Sequence, residues 1–362
     1  MCAFVLSFVF LPSAFPQGSL TPPGAPTPTM KSLTQIDTHV SDAGEKRIDV
    51  LTLPGDASNQ FIITNGGSYY VSARIIGVAS KNGISIQADN VTLDLNGFVL
   101  NGTVSNPLAG IIVSGSHTNI AIRNGTVTGW GPRGIDAESA NNSQFANLRI
   151  SDNAGTGITV GGRCSINDCV IKGNIAHGLW VTTGVQGCII RDCVANSSLN
   201  GDGIRDEGNG SLIMNCIARS NGGNGIFSGG GGRTTIAGCN LTANGASGIN
   251  ATSGNSCYFL NNNCGGNTNA GIAVVTNSNR IEGNVTRGNQ IGIVVFGGTT
   301  NNLIVRNSAG GNSGNNYDIG AGNRYGPIVD DTANDPASAP AALGNSAAGD
   351  LNTTSPWANF AH

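Results

Sequence analysis

Along most of the chain the apolar residues come in short alternating runs, Ile158-Thr159-Val160, Leu179-Trp180-Val181 and Ile272-Ala273-Val274 among them, separated by Gly, Asn and Ser. Alternation over a few residues predicts β-strands with one face buried, and no ten-residue stretch carries the period of an amphipathic helix. Each run follows a glycine, at Gly83, Gly110, Gly134, Gly157, Gly178, Gly203, Gly225, Gly248, Gly271 and Gly292. The next residue is Ile in every case but Leu179, and successive glycines stand 21 to 27 residues apart. A period of that length marks an array of units too small to bury their own apolar faces, which must therefore stack on one another.

The residues between the glycines choose the architecture. Stretches such as 164–171 and 188–195 are rich in β-formers and broken by Asn and Gly, so the helix of a leucine-rich repeat is missing. Three short strands and three turns per repeat predict an all-β fold: a single-stranded right-handed parallel β-helix of about ten rungs, about 4.8 Å apart, with N- and C-terminal caps. From Gly83 to Asn312 such a coil is roughly 45–50 Å long. Asn153, Asn174, Asn221, Asn244 and Asn267 stand four residues before their glycines, and Asn200 and Asn289 three before theirs. Asn tolerates the left-handed backbone of a sharp corner, and stacked amides bond from rung to rung, so these positions are assigned to corners.

The ends of the chain have a different composition. Residues 1–17 are expected to be a signal peptide: 2–11 are apolar, too few for the about 20 that span a bilayer, and Pro12-Ser13-Ala14 follows. The basic start of such a signal is absent. Export to the periplasm, the cell surface or the medium is the resulting expectation. Residues 18–47 have the composition of a Pro-rich linker, and 48–82, with denser apolar runs outside the repeat register, that of an N-terminal cap. The coil is assigned to 83–328 and a C-terminal tail to 329–362, with Trp357 and Phe360 able to dock back.

Charged residues are 11% of the 362, against about 25% in ordinary domains. A net charge of -3 with no Lys/Arg cluster argues against nucleic acid and anionic membrane as partners. Of nine cysteines, Cys169, Cys193, Cys216 and Cys239 share one column of the coil. Cys164, Cys188 and Cys257 share a second, filled by Ser211 and Thr234 in between, and Cys264 falls in an inward column with Ile171, Ala195, Ala218 and Leu241. Side chains stacked in one column lie about 4.8 Å apart and point the same way, beyond the roughly 3.5–4.5 Å between the Cβ atoms of a disulfide. No Cys-x-x-Cys pair offers a zinc site. Buried thiols are therefore expected, with a disulfide or a metal as alternatives, and no metal or cofactor is assigned.

Candidate chemistry sits in the strand after each glycine, where the second and fourth residues face outward. The second positions run Asp136, Thr159, Trp180, Arg205, Phe227, Asn250, Ala273, Val294, and the fourth include Glu138 and Glu207. Arg133, His177 and Asp202 precede their glycines. Almost all the charge and aromatic surface of this face is thus confined to the rungs from Gly134 to Gly225. Arg133, Asp136, Glu138, Trp180, Arg205 and Phe227 are the substrate-binding candidates: flat rings for sugars and guanidiniums for uronate carboxylates. His177, Asp202, Arg205 and Glu207 are the catalytic candidates, with Asp202 one rung from His177 and able to orient its imidazole. The competing reading is a solvated face that keeps the sheet soluble. Asp206 falls at an inward position, so either the strand ends there or the register slips.

The Gly-Ile repeat, the opening Asp89-Asn90-Val91-Thr92-Leu93-Asp94-Leu95-Asn96-Gly97 and the later Asn279-Arg280-Ile281-Glu282-Gly283-Asn284 resemble the pectin-lyase-like superfamily of right-handed β-helix proteins, over residues 48–325. The resemblance implies polysaccharide lyases, glycoside hydrolases, uronan epimerases or copper accessory proteins. The Asn-Thr-Asp, Asp-Asp, Gly-His-Gly and Arg-x-Lys elements of the galacturonase-type hydrolases are not intact; Ala176-His177-Gly178 is the nearest remnant. Four His and three Met give copper handling little support. Three functions follow from this: an exported coil that binds extracellular or cell-wall polysaccharide, a lyase or epimerase of acidic glycans with His177 or a carboxylate as base, or a surface scaffold.

Overall fold

The computed structural model describes residues 47–103, 108–330, 342–343, 346–348 and 355–362; the expected signal peptide, and the linker up to Lys46, lie outside the described residues. The remainder is a parallel coil in which every paired strand runs in the same direction as its neighbour one turn away. The Gly-Ile strands stack into one sheet, for example Thr156–Val160 on Leu179–Val181 on Ile204–Asp206. Two further strands per turn, such as Ser165–Asn167 and Val170–Lys172, build the second sheet that wraps the bore. The first sheet holds 13 strands rather than ten. Three strands lie beyond the ten: Asn59–Ile63 pairs in register with Asn82–Ile86, Tyr317–Ile319 with Ile291–Val295, and Ala342–Leu343 with Tyr317–Ile319; at the first two, Gln60 and Asn316 occupy the repeat glycine's place, so the motif misses both turns.

The repeat glycine has a steric cause. A Cβ on Gly157 would lie 2.6 Å from the carbonyl oxygen of Gly178, and one on Gly178 2.5 Å from that of Gly203, distances no side chain tolerates. The glycine column lets adjacent rungs close to hydrogen-bonding distance, Ile158 N–H donating to Gly178 O at 3.0 Å. Beyond it, Ile158, Leu179, Ile204, Ile226, Ile249 and Ile272 point into the bore and are fully buried. At about 1.5–3 kcal/mol per buried aliphatic side chain, these columns are the main stabilising term.

Most of the coil's corners pair a left-handed residue with an inward polar or thiol side chain. The left-handed residues are Asp152, Gly173, Ser197, Ser220 and Ala243, one before each ladder position, and not the asparagines themselves. The asparagines turn into the bore, where Nδ2 of Asn221 donates to Oδ1 of Asn244 and Nδ2 of Asn244 to Oδ1 of Asn267, both at 2.9 Å. Asn289 continues this ladder; Asn200 does not. The turn from Gly178 to Gly203 carries extra residues, and Ser198 takes the ladder position, its N–H bonding Oδ1 of Asn221 at 3.0 Å.

The two cysteine columns continue as asparagine ladders. Cys239 is followed by Asn262, Asn284 and Asn307, and Cys257 by Asn279 and Asn302. All eight described cysteines are free and buried. Asp206 does point inward: the register does not slip, and the carboxyl is fully buried, accepting from Ser211 Oγ at 2.7 Å, Thr234 Oγ1 at 3.1 Å and Gly208 N at 3.2 Å. At the far end Asn359–Ala361 returns to pair with Ser308–Gly310 and Ile328–Asp330, and Tyr317 Oη donates to Phe360 O.

Candidate functional site

The outward column of the Gly-Ile sheet is a direct consequence of register: Asp136, Thr159, Trp180, Arg205 and Phe227 are consecutive partners across four rung steps. Side chains from the residues before the glycines and from the fourth positions close in on it. The nine candidates form one connected cluster.

At the upstream end Arg133 Nη1 donates to Asp136 Oδ1 at 2.6 Å and pairs with Glu138 at 2.5 Å. These two carboxylates together raise its pKa against the opposing effect of burial. The guanidinium also reaches across the intervening rung to 5.9 Å from the Trp180 ring. That rung carries Thr156 and Thr159, both buried, and the Thr159 hydroxyl has no partner among the described residues.

Trp180 and Arg205 form the centre. Trp180 Nε1–H donates to Glu207 Oε2 at 3.0 Å, and Thr183 Oγ1 donates to the same oxygen at 2.8 Å. Arg205 Nη2 donates to Glu207 Oε1 at 2.5 Å and Nη1 to Asp202 Oδ2 at 3.3 Å, while its guanidinium carbon lies 4.3 Å from the centre of the Phe227 ring. Desolvation pushes the Glu207 carboxyl up, but the hydrogen bonds from Thr183, Trp180 and Arg205 outweigh it and hold the group below the usual range. The Phe227 ring folds over Gly229, where a Cβ would lie 2.3 Å from the ring.

His177 lies 6.0 Å from Trp180, centre to centre, and its Nδ1 is 3.5 Å from Asp202 Oδ2. The backbone N–H of Asp202 donates to that same Nδ1 at 3.0 Å. The neutral ring therefore carries its proton on Nε2, which is then a donor, and burial holds its pKa below the ordinary value. Asp202 itself is 6% exposed, and its other oxygen accepts from both the N–H and Nδ2 of Asn224 at 2.8 Å.

The two guanidiniums of the cluster are thus engaged by four carboxylates, which outnumber them. Both arginines assigned to uronate carboxylates already have protein partners, and each covers an aromatic face. Thr183, Asn224 and Gly229 complete the cluster and were not singled out from sequence. Gly229 stands in the outward fourth column two residues after Phe227, a signal that was legible; Thr183 lies past the strand end, where periodicity says nothing.

Among the described residues no group of His, Cys, Asp and Glu is arranged to hold a metal ion, and no helix is long and apolar enough to cross a membrane. No curated protein matches the sequence. Among solved structures, the A-module of a mannuronan C-5 epimerase from Azotobacter vinelandii has a TM-score of 0.62 at 17% identity, over 80% of this chain and 92% of that one. The A-module of another mannuronan C-5 epimerase from the same organism has a TM-score of 0.61 at 17% identity, over 81% and 94%. The Dettilon tailspike protein also has a TM-score of 0.61 at 17% identity, over 81% of this chain and 66% of that one. At this identity the likeness is one of fold. A family model described as a right-handed beta helix region matches residues 47–198 and 182–331, and by that match over most of its length the chain belongs to the right-handed β-helix family.

Proposed function

We propose that this protein is an exported coil that binds a polysaccharide along the outward face of the Gly-Ile sheet, centred on Trp180 and Arg205. The observation that carries the reading is the joining of all nine candidates into one cluster on five consecutive rungs. An ordinary solvated face scatters its charges and leaves its aromatic rings out. Five rungs about 4.8 Å apart make a face roughly 20 Å long, enough for a few sugars laid along the axis. Two of the similar folds are named for mannuronan, so a coil of this kind can present a face to a polysaccharide.

The cluster supports binding more than proton abstraction. With Nδ1 occupied by the Asp202 N–H, His177 has no free lone pair facing outward, and Asp202 and Glu207 are engaged through both oxygens. A lyase or epimerase needs a base whose lone pair reaches the substrate. The test is a panel of neutral and uronic-acid oligosaccharides, read for binding by calorimetry and for unsaturated products by absorbance, with Trp180→Ala beside the parent. Trp180→Ala should weaken binding about tenfold or more while leaving the melting temperature within a few degrees. Arg205→Ala is a poorer probe, because it strips the buried Asp202 of its guanidinium. No binding by any member of the panel overturns the reading in favour of a scaffold, and unsaturated products overturn it in favour of a lyase.

A further inference from the structure

The outward column continues past Phe227 through Asn250, Ala273 and Val294, where its composition turns apolar. The surface there is concave. Ala270, Ala273 and Val294 pack together outside the bore yet are only 4–6% exposed. Phe296, 47% exposed, and Val275 stand up at the strand ends as a wall, and the depression encloses about 320 Å³. That is near the lower end of the roughly 300–1,000 Å³ of small-molecule sites. Across the strands the rim is made by Asn269 and Gln290, and toward Phe227 by Asn250. The side-chain amides of these three have no hydrogen-bond partner among the described residues, unlike the laddered asparagines of the bore. No charged residue and no histidine lines the depression.

We propose that this trough is the subsite for an acetamido sugar of an uncharged glycan, an inference that rests on the polysaccharide reading above and names its ligand class. A uronate or sulfate placed here would lose water and meet no countercharge, which is costly. An acetamido group meets both features of the trough. Its methyl seats on the methyls of Ala273 and Val294, its N–H and C=O match the unpartnered amides, and the C–H face of the ring lies against Phe296. From Val294 to Trp180 is five rung steps, roughly 24 Å, so the trough and the aromatic cluster hold different sugars of one chain.

The experiment uses the full chain with four probes: an N-acetylglucosamine oligomer, its de-acetylated counterpart, a glucose oligomer of the same linkage, and an oligogalacturonate. The expected result is preference for the acetylated oligomer by about tenfold or more over each of the others. Ala273→Phe, which fills the trough, should abolish that preference, and Phe296→Ala should weaken binding several-fold; both side chains are outside the bore, and an unchanged melting temperature checks that. If the uronate or the glucose oligomer binds best, or if both variants bind the acetylated oligomer unchanged while Trp180→Ala does not, the subsite assignment is overturned and the polysaccharide reading stands. If no probe and no other glycan binds, both fall together.

Discussion

The break in the asparagine ladder at Ser198 offers a quantitative test of what holds the corners together. In an intact rung the amide is fully engaged: Asn244 Oδ1 accepts from Asn221 N at 3.2 Å and Nδ2 at 2.9 Å, and its Nδ2 donates to Ala218 O at 3.1 Å and Asn267 Oδ1 at 2.9 Å. At Ser198 the hydroxyl has no partner, and the Nδ2 of Asn174 on the preceding rung is buried without one among the described residues. There is room to repair this. Elsewhere the ladder amide lies against the glycine one rung back, within 2.7 Å of a Cβ built on Gly157 or Gly203; at Gly178 the nearest side-chain atoms are Ala195 Cβ and Ser198 Oγ, both at 3.4 Å. Ser198→Asn should therefore give Asn174 an acceptor, worth about 1–3 kcal/mol for a buried donor, less up to about 1 kcal/mol for ordering the new side chain. A net gain of about 1–2 kcal/mol, with roughly 2 cal/mol/K of unfolding entropy per residue, raises the melting temperature by roughly 2–3 °C. Thermal and urea unfolding followed by circular dichroism measure it, with Asn200→Ser as control: Asn200 has the sequence spacing of a ladder residue but is exposed, so its loss should stay within about 0.5 kcal/mol. A destabilised Ser198→Asn, or a destabilised Asn200→Ser, would refute the ladder as described.

Other outcomes follow from the same geometry. Gly157→Ala should cost about 2–3 kcal/mol in urea unfolding, since its Cβ would press on Gly178 O, Asn174 Nδ2 and Ile171 Cγ2, all within 2.7 Å. Burial raises the Asp206 carboxyl above its ordinary 3.8 despite the bonds from Ser211, Gly208 and Thr234. The sign follows: the contribution of Asp206 is fully present below pH 3.8 and is lost as pH rises through the folded-state value, so Asp206→Asn should gain stability relative to the parent at pH 8 compared with pH 4, and equal differences at the two pH values would contradict the assignment. A thiol reagent should leave the eight cysteines from Cys164 to Cys264 unlabelled in the native coil, because they are buried, and without reductant should label each of these eight once the chain is denatured; peptide mapping that finds any of them unlabelled would reveal a disulfide.

What the sequence determined by itself is direction. A strand period of two and a repeat in the twenties decide, for the strand residues between Gly83 and Val295, whether each faces the bore or the solvent and which residues stack above and below it. That is why the coil, the buried cysteine columns and the grouping of His177, Trp180, Arg205 and Phe227 on one face were readable; the inward position of Asp206 was instead read as a strand end or a register slip, because Ser211 and Thr234, which satisfy its carboxyl, are brought to it only by the assembled coil. Number and depth were not. Gln60 and Asn316 in the glycine column hid two turns, and the longer turn before Gly203 moved the ladder from Asn200 to Ser198, because a corner is set by backbone closure and not by counting back from a motif. Pairing was likewise invisible: Arg133 meets Trp180 across an entire rung, and Arg205 is spent on Asp202, Glu207 and the Phe227 ring, contacts chosen by rotamers among equally stacked neighbours. Ala273 and Val294 were bland as letters, yet they form the floor of a trough, since concavity depends on the height of Phe296 and Val275 beside them and of the loops on neighbouring turns, which only the assembled coil brings together.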